Sequence, residues 1–242
     1  MNVEDSPLVS VVIACYNHEN FVQDCIKSVV AQTYDNIELI IIDDGSKDSS
    51  VEKISELTNV CQNRFSRFEF RHRSNKGLTA TLNEALEWCQ GEYYCPFASD
   101  DIMLENKTEV QVNYLMHNLD VVAVFGSVYL INNDGIFLKE WPLKSKKYNF
   151  NDIFLHKHSL PAPSQMIRMN TIRKIGGYNK DIVIEDWYTY LKLSKMGEIV
   201  SKSNFVCEYR IHDTNFSKNL QKLHEGRKQV LSIFSHEQKY NE

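Results

Sequence analysis

The stretch Val9-Ser10-Val11-Val12-Ile13-Ala14-Cys15-Tyr16-Asn17, answered one helix-length later by Glu38-Leu39-Ile40-Ile41-Ile42-Asp43-Asp44-Gly45-Ser46, decides the fold. Both are near-continuous Val, Ile and Leu runs, which is how strands read when helices cover both of their faces. Each run empties abruptly into polar residues. The segment between them places Phe21, Val22, Cys25, Ile26, Val29 and Val30 on one stripe, the signature of a helix packed on a sheet. Strand, helix and strand in this order predict a βαβ unit and a parallel sheet.

The same rhythm continues outward. Phe68 to Arg73 and Tyr93 to Ala98 are further strand candidates, and helical stripes fall at Val51, Ile54 and Leu57 and at Leu78, Leu82, Ala85, Leu86 and Cys89. Beyond Asp101 the pattern changes. A helix from Lys107 to Met116 precedes a long apolar strand, Val121 to Ile131, and Asn132-Asn133-Asp134-Gly135 then turns the chain into a strand ending near Trp141. This hairpin predicts a mixed sheet. Pro161 and Pro163 punctuate a loop before a short strand reaching Arg168, and Gly176-Gly177 stops a brief helix over Asn170 to Ile175. Asp186 to Met196 reads as a helix stopped by Gly197, and Phe205 to Ile211 as a strand. The expected class is α/β, with a mixed central sheet and helices on both faces.

Composition narrows the function. The chain has 242 residues, 43% of them hydrophobic and 24% charged, with a formal net charge of -5. That balance disfavours a protein built to neutralise nucleic-acid phosphates, so no nucleic-acid partner is expected. The six cysteines form no CxxC pair, which argues against a zinc cage or a redox dithiol and suits a reducing cytosol. Met1 to Pro7 is polar and acidic, unlike a secretory signal, and no stretch approaches the roughly 20 apolar residues of a membrane span. A cytoplasmic protein is expected.

In open α/β sheets ligands gather at the carboxyl ends of the parallel strands. Three strand ends are loaded here: Cys15-Tyr16-Asn17-His18, Asp43-Asp44-Gly45-Ser46 and Ser99-Asp100-Asp101. An isolated Asp-Asp pair is ordinarily a turn or helix cap. Two pairs on two strand ends concentrate like charge that a divalent cation would compensate, and carboxylates of this kind suit Mg2+ or Mn2+ sharing a phosphate with the protein.

Taken in order, these motifs resemble the family 2 inverting glycosyltransferases of the GT-A fold, a Rossmann-like architecture. The resemblance rests on Val9 through Asn17, Ala31-Gln32-Thr33-Tyr34, Glu38 through Asp48, Asn75-Lys76-Gly77, Asn83 with Ala85 and Leu86, Gly91-Glu92-Tyr93 and Ser99-Asp100-Asp101. It continues in Ile175-Gly176-Gly177-Tyr178, Glu185-Asp186-Trp187, Gly197 and Tyr209-Arg210-Ile211-His212, spanning roughly residues 8–217. It implies one GT-A domain over residues 1–242: a nucleotide-sugar-binding half at 8–101, an acceptor half at 102–217 and a helical tail at 218–242. It further implies that Ala14, Tyr16 and Asp44 line a nucleobase pocket, with Tyr16 stacking on the base and Asp44 accepting from a ring N–H, which favours a UDP-sugar donor. Asp100 would face the ribose, Asp101 would coordinate Mn2+ or Mg2+, and Asp186 would be the general base.

Several residues carry two readings. Asp186 follows Glu185 at a helix start, where an acid is favoured by the macrodipole alone, and the resemblance turns the preference to catalysis. Glu185 and Trp187 flank it as acceptor-contact candidates, although an aromatic on a helix is more often core. His212 reads as a hydrogen-bonded structural residue or, as in some relatives, as a group near the metal or the diphosphate. Lys76 is the donor-binding candidate among Arg71, His72, Arg73 and itself. In the tail, Lys218, Lys222, Arg227 and Lys228 followed by Val230, Leu231, Ile233 and Phe234 read as an amphipathic membrane-surface helix or as a helix packed on its own domain or on a second subunit.

The expected activity is transfer of a sugar from a nucleotide-diphosphate sugar to an acceptor hydroxyl, with inversion. A glycan or lipid-linked acceptor at the inner face of the plasma membrane, in surface polysaccharide or lipopolysaccharide assembly, follows by analogy. Two alternatives stand beside it. A sugar-phosphate nucleotidyltransferase needs a Gly-rich basic loop after the first strand, where Tyr16-Asn17-His18-Glu19 stands instead. A non-catalytic nucleotide-sugar-binding protein would bind donor without turnover.

Overall fold

The computed structural model describes residues 6–212 and 219–235. Lys218 of the basic tail set, and the tail beyond residue 235, lie outside the described residues. The first half runs β1 (Val9–Cys15), α1 (Val22–Val30), β2 (Ile37–Asp43), α2 (Ser50–Ser55), α3 (Thr58–Arg64), β3 (Arg67–His72), α4 (Leu78–Trp88) and β4 (Tyr93–Ala98). It continues with β5 (Ile102–Met103), α5 (Lys107–Met116), β6 (Val121–Ile131), β7 (Phe137–Trp141), β8 (Lys146–Tyr148) and α6 (Phe150–Phe154). The last part comprises β9 (Met166–Arg168), α7 (Met169–Lys174), α8 (Glu185–Ser194), β10 (Glu198–Arg210) and α9 (Leu220–Phe234).

One sheet of ten strands forms the centre, in the order β3-β2-β1-β4-β9-β6-β10-β5, with β7 beside β6 and β8 beside β10. β1 pairs parallel with both β2 and β4, and β2 with β3, so the first half is the parallel sheet expected. β9 is antiparallel to both β4 and β6 and converts the sheet to mixed. Two apolar layers lie on its faces. On one, Val11, Ile13 and Ile41 pack with Cys25, Ile26 and Val29 of α1. On the other, Val12, Ile40 and Ile42 pack with Leu82, Ala85 and Leu86 of α4.

Glu38 is fully buried inside this apolar frame and is held by a complete set of donors. Its carboxylate accepts from Ser10 Oγ (2.5 Å), Arg67 (2.9 Å) and the backbone N–H groups of Gln90 and Gly91 (2.5 and 3.0 Å). A buried charge is tolerated on such terms and on few others. The network ties β2 to the start of β4.

The Val51, Ile54 and Leu57 stripe does not form one helix: the chain breaks between Ser55 and Thr58 into α2 and α3. β10 begins directly after Gly197, well before the expected Phe205, and its register against β6 slips at several points along that length. Those irregularities are why its early residues carry no clean strand pattern. Of the tail's apolar residues, Val230 and Phe234 are buried in the second core, whereas Leu231 and Ile233 are exposed. All six cysteines are buried free thiols.

Candidate active site at the sheet switch point

The chain builds β1, β2 and β3 in one direction across the sheet and then returns to lay β4 on the other side of β1. The carboxyl ends of β1 and β4 therefore diverge, and a crevice opens between them. An open cleft of ≈ 530 Å³ occupies this place. Its lining comes from two parts of the chain: a wall from the ends of β1 and β4, with Ala14, Tyr16, His18, Asp100 and Asp101, and a wall from the later loops, with Ala162, Pro163, Gln165, Ile184, Glu185 and Asp186, together with Tyr209, His212 and Leu223.

Tyr16 leaves β1 with 45% of its surface exposed, a free ring face beside the cleft. The turn that presents it is locked to the turn after β2. Asn17 adopts φ 54°, a left-handed conformation that Asn tolerates. Its side-chain Oδ1 accepts from Lys47 N–H (2.7 Å), while its own N–H donates to Ser46 Oγ (2.8 Å). Gly45, at φ 77°, passes so close to the next loop that a Cβ would lie 2.6 Å from Asn75 N.

Asp44 and Lys76 lie outside the cleft lining. Asp44 accepts from the backbone N–H groups of Lys76 (2.8 Å) and Gly77 (2.9 Å) and is paired with Arg73. Arg73 also reaches Glu84 (2.7 Å) and Thr81 Oγ1 (2.9 Å). It is thus the backbone of Lys76, rather than its exposed ammonium, that engages this loop, and Arg73 is the cation beside Asp44. Trp187 is 3% exposed and also outside the lining. Its indole N–H donates to Ile153 O (3.0 Å), and its ring meets that of His156 at 4.0 Å.

The two aspartates after β4 are held differently. Asp100 Oδ2 lies 2.8 Å from His212 Nε2. Burial opposes the charge of Asp100, but the His212 hydrogen bond and the neighbouring His18 prevail and hold its carboxyl below the usual range. Asp101 turns away, accepting from Arg210 N–H at 2.8 Å. Burial, together with the charge of Asp100, pushes its carboxyl well up. Arg210 serves both residues: its Nε donates to Asp100 O (2.8 Å), and its other donors reach Asn132 O and Asn133 O in the β6–β7 turn (3.2 and 3.0 Å).

His18, Asp100 and His212 each bring one donor atom into a group whose members lie within 4.8 Å of one another. His18 is fixed by Ser99 Oγ at 2.7 Å from Nδ1. Two imidazoles with one carboxylate fit a cation that accepts nitrogen as well as oxygen, such as Mn2+, better than Mg2+, which prefers an all-oxygen shell. Asp101 is not in this group. His18 and Arg210 were assigned no role from sequence; the only signal was their position beside motifs already singled out.

Across the cleft, Glu185 and Asp186 open α8. Burial, helped by the adjacent Asp186, pushes the Glu185 carboxyl up to about 8. Burial also raises Asp186, partly opposed by its hydrogen bond from Trp187 N–H (2.6 Å). A carboxyl pair whose proton affinity is raised by burial in a cleft is a candidate for proton transfer.

Residues 10–176 match the family described as Glycosyl transferase family 2. The chain belongs to that family. A glycosyltransferase from Rickettsia felis, described as uncharacterized, is 30% identical over 238 residues, covering 96% of this chain but only 38% of its own length. The chain thus spans little more than a third of that curated relative. Among solved structures, a Pyrobaculum calidifontis mannosyltransferase in complex with GDP-Man and Mn2+ superposes with a TM-score of 0.74, at 15% identity over 95% of this chain and 64% of that one. Staphylococcus aureus TarS 1-349 in complex with UDP-GlcNAc gives 0.73, at 15% identity over 93% and 66%. The family 2 chain has the GT-A fold of these neighbours. No helix among its described residues is long and apolar enough to cross a membrane.

Proposed function

We propose that this family 2 chain is an inverting glycosyltransferase that moves a sugar from a UDP-sugar to a hydroxyl of a glycan or lipid-linked acceptor. One observation carries the reading: one cleft of ≈ 530 Å³ is lined by Tyr16, Asp100 and His212 together with Glu185 and Asp186. That volume lies in the range of small-molecule sites. The nucleotide complexes of the solved neighbours support a nucleotide-sugar donor.

In this reading residues 8–101 hold the nucleotide and residues 102–212 supply the acceptor side. Tyr16 stacks on the base beside Ala14, while Asp44, steadied by Arg73, stands behind the base-binding loop. Asp100 and His212, with His18 in reach, would hold Mn2+ or Mg2+, which would supply positive charge against the departing diphosphate. The chemistry of the donor set favours Mn2+. Asp101, to which the resemblance assigns the metal, accepts from Arg210 N–H and so steadies the Asp100 turn. Asp186 takes the acceptor proton as the hydroxyl oxygen attacks the anomeric carbon from the face opposite the diphosphate. One carbon–oxygen bond forms, the anomeric carbon–phosphate oxygen bond breaks with its electron pair leaving on the diphosphate, and configuration inverts. Glu185 sits beside the base, and the charge of Asp186 helps to raise the proton affinity of Glu185. An acceptor at the inner membrane face fits the basic residues and exposed Leu231 and Ile233 of α9.

The test is nucleotide release from a panel of UDP-, GDP- and dTDP-sugars with Mn2+, with Mg2+ and with chelator. Metal-dependent release from one donor, reduced about 10²-fold or more in Asp186→Asn, is expected. Release that is unaffected by Asp186→Asn, or no binding of any of the three nucleotides, overturns the proposal.

A further inference from the structure

Residues 179–184 lead into α8 without helix or strand structure, and a helix from the end of the described chain crosses them. Gln229 of α9 meets this loop twice: its Oε1 accepts from Val183 N–H (3.0 Å) and its Nε2 donates to Asp181 O (3.2 Å). One turn earlier, Gly226 lies against Ile184 so closely that a Cβ would sit 2.4 Å from Ile184 Cγ1 and 3.1 Å from its backbone N. Leu223, one turn earlier again, lines the cleft. Val230 and Phe234 anchor the helix in the core, Phe234 against Tyr188 and Phe150 at 5.5 and 6.0 Å. Leu223, Gly226 and Val230 share one helical face by their spacing, and Gly226 on that face packs on Ile184, the residue before Glu185.

We propose that α9 is a positioning element for the carboxyl pair: Gln229 and Gly226 fix the backbone of residues 181–184 so that Glu185 and Asp186 face the donor wall. The inference rests on the reading of Asp186 as the base. The loop's own hydrogen bonds are sparse and local, Ile182 N–H to Asn179 O (3.3 Å) and Asp181 N–H to Asn179 Oδ1 (3.0 Å), so the side chain of Gln229 does what a strand partner does elsewhere. Glycine is a poorer helix former than alanine, and at 226 its lack of a Cβ is what permits contact. Alanine at 226 therefore strengthens the helix while denying it the loop. To restore an ordinary 3.4 Å contact, helix and loop must part by about 1 Å. A displacement of that size near a reacting group costs about 10²-fold in rate.

The experiment compares Gly226→Ala, Gln229→Leu, Gln229→Glu, Ile184→Ala and the Gly226→Ala/Ile184→Ala pair. For each, affinity is measured by calorimetry for whichever of UDP, GDP and dTDP the wild type binds with Mn2+, and kcat is measured for nucleotide release. Gly226→Ala is expected to lower kcat about 10- to 100-fold while nucleotide affinity stays within about threefold, because the donor wall is untouched. Trimming Ile184 in the pair should recover about tenfold relative to Gly226→Ala. Gln229→Glu should exceed Gln229→Leu, since a carboxylate still accepts from Val183 N–H. Undiminished kcat in Gly226→Ala and Gln229→Leu, or a parallel loss of nucleotide affinity, overturns the inference alone. A wild type that releases nucleotide from no donor overturns the reading of Asp186 and the inference together.

Discussion

Replacing Glu185 by Gln tests the electrostatics of the acceptor wall in two independent ways. The Glu185 carboxyl is pushed up from 4.5 to about 8, first by burial and then by Asp186. At pH 7 it is therefore about nine-tenths protonated in the folded protein, whereas an unfolded Glu is ionised. The folded state thus binds the extra proton between about pH 4.5 and 8, so stability falls as pH rises through that window, at most about 1.4 kcal/mol per pH unit. Below pH 4.5 both states hold the proton and the contribution is complete; above about pH 8 it is lost. Glu185→Gln removes this proton linkage. Because the cleft admits water, the gain expected from the substitution at pH 8 is on the order of 2 kcal/mol, shrinking to almost nothing at pH 5.

The second readout is the acidic limb of the pH–rate profile. Two neighbouring carboxyls titrate as a pair, and the macroscopic limb belongs to both. Within the pair Glu185 keeps its proton to about pH 8 and carries no charge while Asp186 ionises, so Glu185→Gln should leave the acidic limb in place to within about half a pH unit and remove only the titration near pH 8. Urea denaturation at pH 5, 6.5 and 8, with nucleotide release across the same range, measures both effects. A variant whose stability falls with pH as steeply as the wild type, or whose acidic limb moves down by about one pH unit, would refute the assignment of Glu185 as the raised, later-ionising member of the pair.

Three further outcomes follow from the geometry. Asp100→Asn should weaken Mn2+ binding in the presence of UDP at least about tenfold, read by calorimetry or manganese resonance. Asp101→Asn, which keeps an oxygen for Arg210 N–H and removes a charge repelled by Asp100, should change it less than about threefold; equal losses would restore Asp101 as a metal ligand. Arg73→Ala should lower UDP affinity about tenfold by freeing the 73–77 loop, and Arg73→Lys should not restore it, because one ammonium cannot reach Asp44, Glu84 and Thr81 together. Glu38→Gln turns an amide NH2 toward donors that need an acceptor and leaves Arg67 without its buried partner, so a loss of about 2–4 kcal/mol is expected in denaturant titration at pH 7.

What the sequence made legible divides along a physical line. β1, β4, α5 and β6 begin and end where their residue patterns predicted, because a strand or helix buried over its full length writes its own boundaries in β-branched runs or apolar stripes. Ile102–Met103 and Lys146–Tyr148 are strands only because β10 pairs with them, and such short segments have no period to read. β10 itself hides its first residues behind register slips. The strand-end rule located Tyr16, Asp44, Asp100 and Asp101, yet not their directions. Where a strand runs out, the pleat no longer dictates facing, and the partner that turns Asp101 inward is the backbone N–H of Arg210, 109 residues away.

The same distance explains why the site divides into separable parts. The donor wall is built from strand ends local to the first half and is the part covered by the family 2 match. The carboxyl wall comes from a loop held by Gln229 of α9, whereas Arg210 holds Asp100 O, the Asp101 carboxylate and the β6–β7 turn at once, and none of these partners belongs to the carboxyl wall. Changes at Gln229 should therefore alter turnover with little effect on nucleotide affinity, whereas changes at Arg210 should alter Mn2+ and nucleotide affinity first. If both positions degraded both properties equally, the walls would be one cooperative unit, and the division read from their hydrogen bonds would not hold.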